Sequence, residues 1–232
     1  RIVGSSFGVG ELGLNLLFET RETIRMRRAM RTQLALAQLL CGSAAVLYAM
    51  PSIFCYNPLR THIEVLNPDA NGFGELCITM LDSHAVIALP RYATGDLGRL
   101  VSPHETAQAA AMAGTASPWL PLVAVQGRIK DRPAGLPSVE SIKELLYLDH
   151  AIADQLSGAF RLAKNATGGI QLSLQANQAG VVTPALRAQL MDHCTRHGFA
   201  ELEVELVEPE DFPWRPLLDF ERKFEYVAAV AG

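Results

Sequence analysis

Apolar and polar positions change their period several times along the chain, and each change marks an element. Thr61-His62-Ile63-Glu64-Val65-Leu66 alternates as a strand with one buried face does. Asn67-Pro68-Asp69-Ala70-Asn71-Gly72 is turn chemistry, and Glu75 to Met80 is a second strand, so the two read as a β-hairpin. The glycine-rich opening, through Phe7-Gly8-Val9-Gly10-Glu11 and on to Phe18, reads as a strand end, a tight loop and a return. Residues from about Thr20 to Leu40 favour one helix. Its first half carries Arg21, Arg25, Arg27, Arg28 and Arg31, a set suited to phosphates, to an acidic partner or simply to solvent. The uncharged stretch Leu34 to Met50 holds Gln38, Gly42 and Ser43 and falls short of the roughly 20 strongly apolar residues of a membrane span, so it reads as buried helix.

A third short strand is expected over Ala85 to Leu89, running into Pro90-Arg91-Tyr92 and a strand-end turn at Thr94-Gly95-Asp96. His104 to Ser117 is Ala-rich and compatible with a mobile loop or a short helix. Leu122 to Gln126 is a strand that ends at Gly127-Arg128, and Lys130 to Gly135 has the polar, turn-rich texture of a linker. Two domains are therefore expected, 1–127 and 128–232. In the second, Ser138 caps a helix running to about Ala153, and Ala159 to Asn165 with Gly169 to Gln175 form a hairpin. Thr183-Pro184 opens a helix that ends near His197-Gly198, and Glu201 to Val207 is a strand. That order suggests a small two-layer α+β domain of ferredoxin-like type, and an α/β (α+β) class for the whole.

Composition narrows the function classes. With 49% apolar and 19% charged residues among 232, the chain can bury a sizeable core. A net charge of −4 gives no overall basic face for a nucleic acid. Cys41, Cys55, Cys77 and Cys194 form neither a C-x-x-C pair nor a metal-ligand cluster, which suits a reducing cytoplasm. The first residue is Arg1 and no signal peptide follows, so the chain is expected to begin inside something longer or to have been processed.

Three short segments have chemical readings, and each also has a plain reading as an ordinary turn. In Phe7-Gly8-Val9-Gly10-Glu11, the ring offers a flat face to a nucleobase, glycines such as Gly8 let backbone approach a ligand, and Glu11 offers a hard oxygen to Mg²⁺. In Thr94-Gly95-Asp96, a fixed carboxylate can accept both hydroxyls of a ribose. In Gly127-Arg128-Ile129-Lys130-Asp131, Arg128 can clamp ribose or phosphate while the following residues act as a hinge.

Taken in order, these segments resemble the adenylate-forming enzymes. The phrase Gly74-Glu75-Leu76-Cys77-Ile78-Thr79-Met80-Leu81-Asp82, followed by Arg91-Tyr92 and Thr94-Gly95-Asp96, looks most like the phenylacetate–CoA ligase branch. The resemblance covers nearly the whole chain, as the end of the large domain and then the small C-terminal one. It implies a carboxylic acid substrate activated with ATP and Mg²⁺ as an acyl-adenylate, with CoA among the acceptors of the acyl group. Val9, Leu12, Leu14 and Leu16 around the first motif suit an aromatic or otherwise apolar acid, or belong simply to the core. Phe7 and Gly8 would lie at the adenine, Glu11 at the metal, Asp96 at the ribose, Arg128 at ribose or phosphate, and Lys130 at the hinge. Lys223 is the nearest match to the family's late catalytic lysine, without its glycine context. Gly10 replaces the polar residue usual before the glutamate. The family's phosphate loop would lie upstream of Phe7, in an N-terminal remainder, so this chain alone is expected to be inactive. Two functions fit: activation of an acid in the intact protein, or a non-catalytic module that holds an aryl acid or nucleotide for a partner in a biosynthetic pathway, for example one leading to a phenazine antibiotic. Neither involves a nucleic acid or a membrane.

Overall fold

The computed structural model describes residues 4–42, 50–81, 89–165, 168–212 and 226–227. The chain divides into two compact units, Arg1–Lys130 and Asp131–Gly232.

The first unit is built on a seven-stranded sheet in the order β1-β2-β3-β7-β6-β5-β4, every neighbouring pair antiparallel. Its strands are β1 (Ser6–Val9), β2 (Gly13–Phe18), β3 (Ser52–Tyr56), β4 (Thr61–Leu66), β5 (Gly74–Met80), β6 (Tyr92–Val101) and β7 (Leu122–Arg128). The central strands β3 and β7 are covered on both faces, so they read as unbroken apolar runs rather than alternating ones. Ile53, Cys55, Leu122 and Ala124 point to one core, where three helices pack: α1 (Arg21–Met30), α2 (Leu34–Cys41) and α3 (Pro103–Met112). Phe54, Val123 and Val125 point to the other, with Leu17, Ile63, Leu76 and Ile78, and with Phe7, Val9 and Leu12 packed against it.

The expected helix from Thr20 to Leu40 is two helices. Thr20 and Thr23 form a capping box at the start of α1. At its end the Thr32 hydroxyl donates to the Ala29 carbonyl, and Gln33 turns extended at φ −121°. The break lets both apolar faces reach one core: Met26 and Met30 of α1, Leu36 and Leu40 of α2. α2 ends at Cys41, and 43–49 lie outside the described residues. The Ala-rich segment forms helix α3, capped by a Ser102–Glu105 box with proline in its first turn. Most of the expected strand Ala85 to Leu89 also lies outside the described residues. Among the described residues no helix is long and apolar enough to cross a membrane.

The second unit holds α4 (Val139–Tyr147), α5 (His150–Ala153), β8 (Leu156–Lys164), β9 (Ile170–Ala176), α6 (Pro184–Arg196) and β10 (Leu202–Val207). The helix expected to run from Ser138 to Ala153 is broken because Asp149 caps a new one, its carboxylate accepting from the Ala151 and Ile152 amides. β9 lies between β8, antiparallel, and β10, parallel. Val227 adds a parallel bridge to Leu162 on the free side of β8. A ferredoxin-like sheet is not established by this order. His193 of α6 is buried, and its Nε2 donates to the Leu145 carbonyl at the end of α4, 2.8 Å away.

In the same unit Arg132 and Glu140 approach to 3.7 Å. Burial dominates both: it lowers the Arg132 pKa and raises that of Glu140, each against the charged form. A carboxylate whose pKa is raised by folding stabilises least when ionised. Stability of the wild type relative to Glu140→Gln is therefore expected to fall as pH rises from 4.5 towards neutrality, measured by chemical denaturation at each pH. A flat difference would refute this.

Gly74 tests the packing of β5. A Cβ there would lie 2.2 Å from the Leu66 carbonyl oxygen of the paired strand, which the backbone cannot yield cheaply. Gly74→Ala should cost about 2 kcal/mol or more in unfolding free energy.

Candidate functional site

Thr94-Gly95-Asp96 is not a turn beyond a strand end, as its composition suggests. It is a bulge inside β6: Cys77 pairs with Ala93 and Glu75 with Leu97, so three residues face Leu76 alone. Three hydrogen bonds hold it. The Thr94 hydroxyl donates to the Leu76 carbonyl at 3.0 Å and accepts from the Asp96 amide at 3.1 Å. The Glu75 carboxylate accepts from the Gly95 amide at 3.2 Å, and Gly95 sits at φ +73°, which favours glycine.

The bulge sets Asp96 directly opposite Arg128 on β7. Both are half-buried. Just beyond, a single 3₁₀ turn, Ile129–Asp131, leads from the sheet to the second unit, and Lys130 is exposed on it.

The first motif lies across the curl of the sheet. Phe7 is half-buried, its ring centroid 6.5 Å from that of Phe54 at a 49° tilt, so one side of the ring belongs to the core. Gly8 is exposed on β1. Glu11 is exposed in the turn between β1 and β2, and its carboxylate lies near the Tyr92 hydroxyl at the start of β6. Loss of solvent and then the Glu11 charge push the Tyr92 phenol upward, so it stays protonated. Strands β1 and β6 are far apart in the sheet order, and this approach, with the packing of Val9 and Leu12 against the cluster of Ile63, Leu76 and Ile78, shows that the sheet curls.

The structure thus brings together Glu11 with Tyr92 and Asp96 with Arg128, both pairs meeting on β6. Lys223 lies outside the described residues. Leu16 is buried in the core, and Val9 and Leu12 pack against it, so these apolar neighbours do not by themselves define a substrate pocket. Among the described residues no group of three His, Cys, Asp or Glu side chains could hold a metal. Glu11 alone fits a Mg²⁺ ion that takes its other ligands from phosphates and water. All four cysteines are buried, and burial pushes the thiols of Cys41, Cys55 and Cys194 up to about 11, which excludes them as nucleophiles.

No protein-family profile and no curated protein sequence matches the chain. Solved structures do. A chain of the fatty acyl-adenylate ligases from E. coli and L. pneumophila is 16% identical over 91% of this chain and 38% of its own length, with a TM-score of 0.51. 2-Hydroxyisobutyryl-CoA ligase, in the postadenylation state in complex with R3-HIB-AMP, is 16% identical over 75% of this chain and 37% of its own, with a TM-score of 0.50. The fold is that of the adenylate-forming ligases. The chain spans well under two thirds of the length of the ligases it matches.

Tyr92, Thr94 and Glu75 are the supporting residues that motif reading passes over. All three stand inside the quoted phrases, but the pairings that give them work are non-local. Thr94→Val should cost about 1–3 kcal/mol in unfolding free energy, because the Leu76 carbonyl and the Asp96 amide lose their partner. Thr94→Ser should retain most of that stability.

Proposed function

We propose that this chain supplies the nucleotide-side contacts and the hinge of an enzyme that activates a carboxylic acid with ATP. The observation that carries the reading is the pairing of Asp96 with Arg128 where β7 leads to the break between units, in a fold shared with a ligase solved as an acyl-AMP complex. In this reading Phe7 stacks the exposed side of its ring on adenine, and Gly8 lets the backbone come close. Asp96 accepts both ribose hydroxyls, which fixes the nucleoside. Arg128 directs its guanidinium at the ribose or the α-phosphate. An oxygen of the acid attacks the α-phosphorus, the bond to the bridging oxygen breaks, and pyrophosphate leaves. Catalysis at this step is positioning and neutralisation of charge. When bound at Glu11, Mg²⁺ would supply positive charge to the phosphate oxygens.

The phenylacetate-type phrase from Gly74 to Asp82 supports an apolar or aromatic acid, and transfer of the acyl group to CoA is the second half-reaction of that branch. Lys130 lets the second unit reorient between the two steps, and Lys223 is the lysine assigned to the adenylation step. The contacts to the β- and γ-phosphates come from the N-terminal remainder of the intact protein.

The test is acid-dependent ATP–pyrophosphate exchange by the full-length protein. Asp96→Asn should raise KM for ATP about fivefold or more, as loss of a charge-assisted hydrogen bond does. An unchanged KM would remove the ribose assignment. Lys130→Pro should leave both units folded and exchange largely intact while slowing thioester formation; a fully active variant would refute the hinge.

A further inference from the structure

Helix α1 carries more positive charge than its fold requires. Thr23, Ile24, Met26 and Met30 are buried, while Arg21, Arg25 and Arg28 are exposed on the opposite side at spacings of four and three. Arg31, also exposed, continues the line. Arg27 is different: its Nε donates to Glu19 at 2.6 Å, an internal pair. Helix stability accounts for only part of the stripe: Arg28 lies in the last turn, where the dipole favours a cation, and Arg21 and Arg25 share the one neighbouring carboxylate, Glu22. Arg21 is the first helical residue, where the positive end of the helix dipole disfavours a cation, and Arg21 and Arg25 are like charges one turn apart. Glu22 is the single acid on α1. In a chain of net charge −4, this face is a local exception.

A second, independent feature adjoins it. A groove of about 670 Å³ is lined by Phe18, Thr20, Leu59, Arg60, Trp119 and Leu120 among others. Trp119 is 90% exposed and Leu59 84%. Thr20 is the N-cap of α1, so the groove opens at the head of the arginine stripe, and Arg60 adds a further cation within it. A tryptophan held open to water beside apolar walls is an anchor site for a partner side chain.

We propose that the exposed face of α1 and this groove form one docking surface for an acidic amphipathic helix of a separate protein. The spacing selects the occupant. Arginines one turn apart match carboxylates at i, i+4 and i+7 on a facing helix, since both share the ~5.4 Å pitch. An apolar side chain at the end of that helix fills the groove against Trp119 and Leu59. Three or four cations on a single short helix hold a nucleic acid only weakly at physiological salt.

The probe is a dye-labelled helical peptide with Glu at i, i+4 and i+7 and a terminal Phe-Leu pair, read by fluorescence anisotropy against the full-length protein. The triple variant Arg21→Glu, Arg25→Glu, Arg28→Glu should weaken binding about tenfold or more and flatten its salt dependence. The milder Arg→Gln triple, which adds no new charge, should weaken it in the same direction. Trp119→Ser should weaken binding while leaving the salt dependence in place. Equal binding by the Arg→Gln triple and the parent chain would overturn the proposal. So would tighter binding of a single-stranded oligonucleotide of equal charge, or self-association or packing of the N-terminal remainder that shields Trp119 from the peptide.

Discussion

Strand β7 is the constraint on which the first unit depends. Its residues Leu122 to Val125 alternate between two cores, and all four are buried. A slip of one position would exchange every side chain between those cores, so its register against β3 and β6 is strongly specified. Arg128 lies at the end of the same strand, and its place opposite Asp96 follows from packing that begins several residues earlier. The register shifts once, between Leu97 and Gly98, and Gly127 at φ +102° accommodates the strain on the β7 side. The candidate site is therefore mounted on strands whose register the two cores fix, and the bulge in β6 and the shift against β7 fall at the residues that present it.

One side chain ties helices α2 and α3 to that sheet by polar contacts, beside the apolar core they share with α1. Arg99 of β6 donates to the Leu39 and Leu40 carbonyls, in the last turn of α2, and pairs with Glu105 in the first turn of α3. The carbonyls of a helix end lack partners within the helix, and a cation there is favoured by the dipole. Burial pushes Glu105 towards its neutral form, but the Ser102 hydroxyl and amide and the Arg99 charge together more than offset it, and its pKa is lowered. Glu105 thus closes the capping box of its own helix and neutralises Arg99 at once. Asp96 lies three residues before Arg99 on the same strand, so the helical core and the candidate site share a frame.

Much of this was legible in the sequence where one local rule dominates. Strict alternation marked β4, Thr183-Pro184 marked α6, and the hairpin of β8 and β9 followed from a glycine turn. The Ser102-Pro103-His104-Glu105 run also held enough information to decide for helix over loop, since a capping box and a first-turn proline point the same way. The splits of the two long helices were hidden, because Thr32 and Asp149 act through hydrogen bonds that compete with the helix ladder. At the site, the chemistry-bearing residues stood out, but their supports did not. Thr94 and Leu76 are far apart in sequence, as are Tyr92 and Glu11, and only the pairing of β5 with β6 and the curl of the sheet bring them together.

The approach of Tyr92 to Glu11 links fold to chemistry in a specific way. It crosses the curl of the sheet, at a carboxylate that the proposed reaction would need for a metal. These roles are compatible because the partner is a neutral phenol. A neutral donor near a carboxylate interacts with it far more weakly than an arginine or lysine would in a partly buried site. It leaves the Glu11 charge in place, and the carboxylate keeps lone pairs for a second ligand. A cationic partner at the same place would close the sheet more firmly but would compete directly with a divalent ion. The apolar packing of Phe7, Val9 and Leu12 on the inner core already supplies most of the closure. The polar contact at the rim can therefore remain weak, which leaves the carboxylate exposed and available.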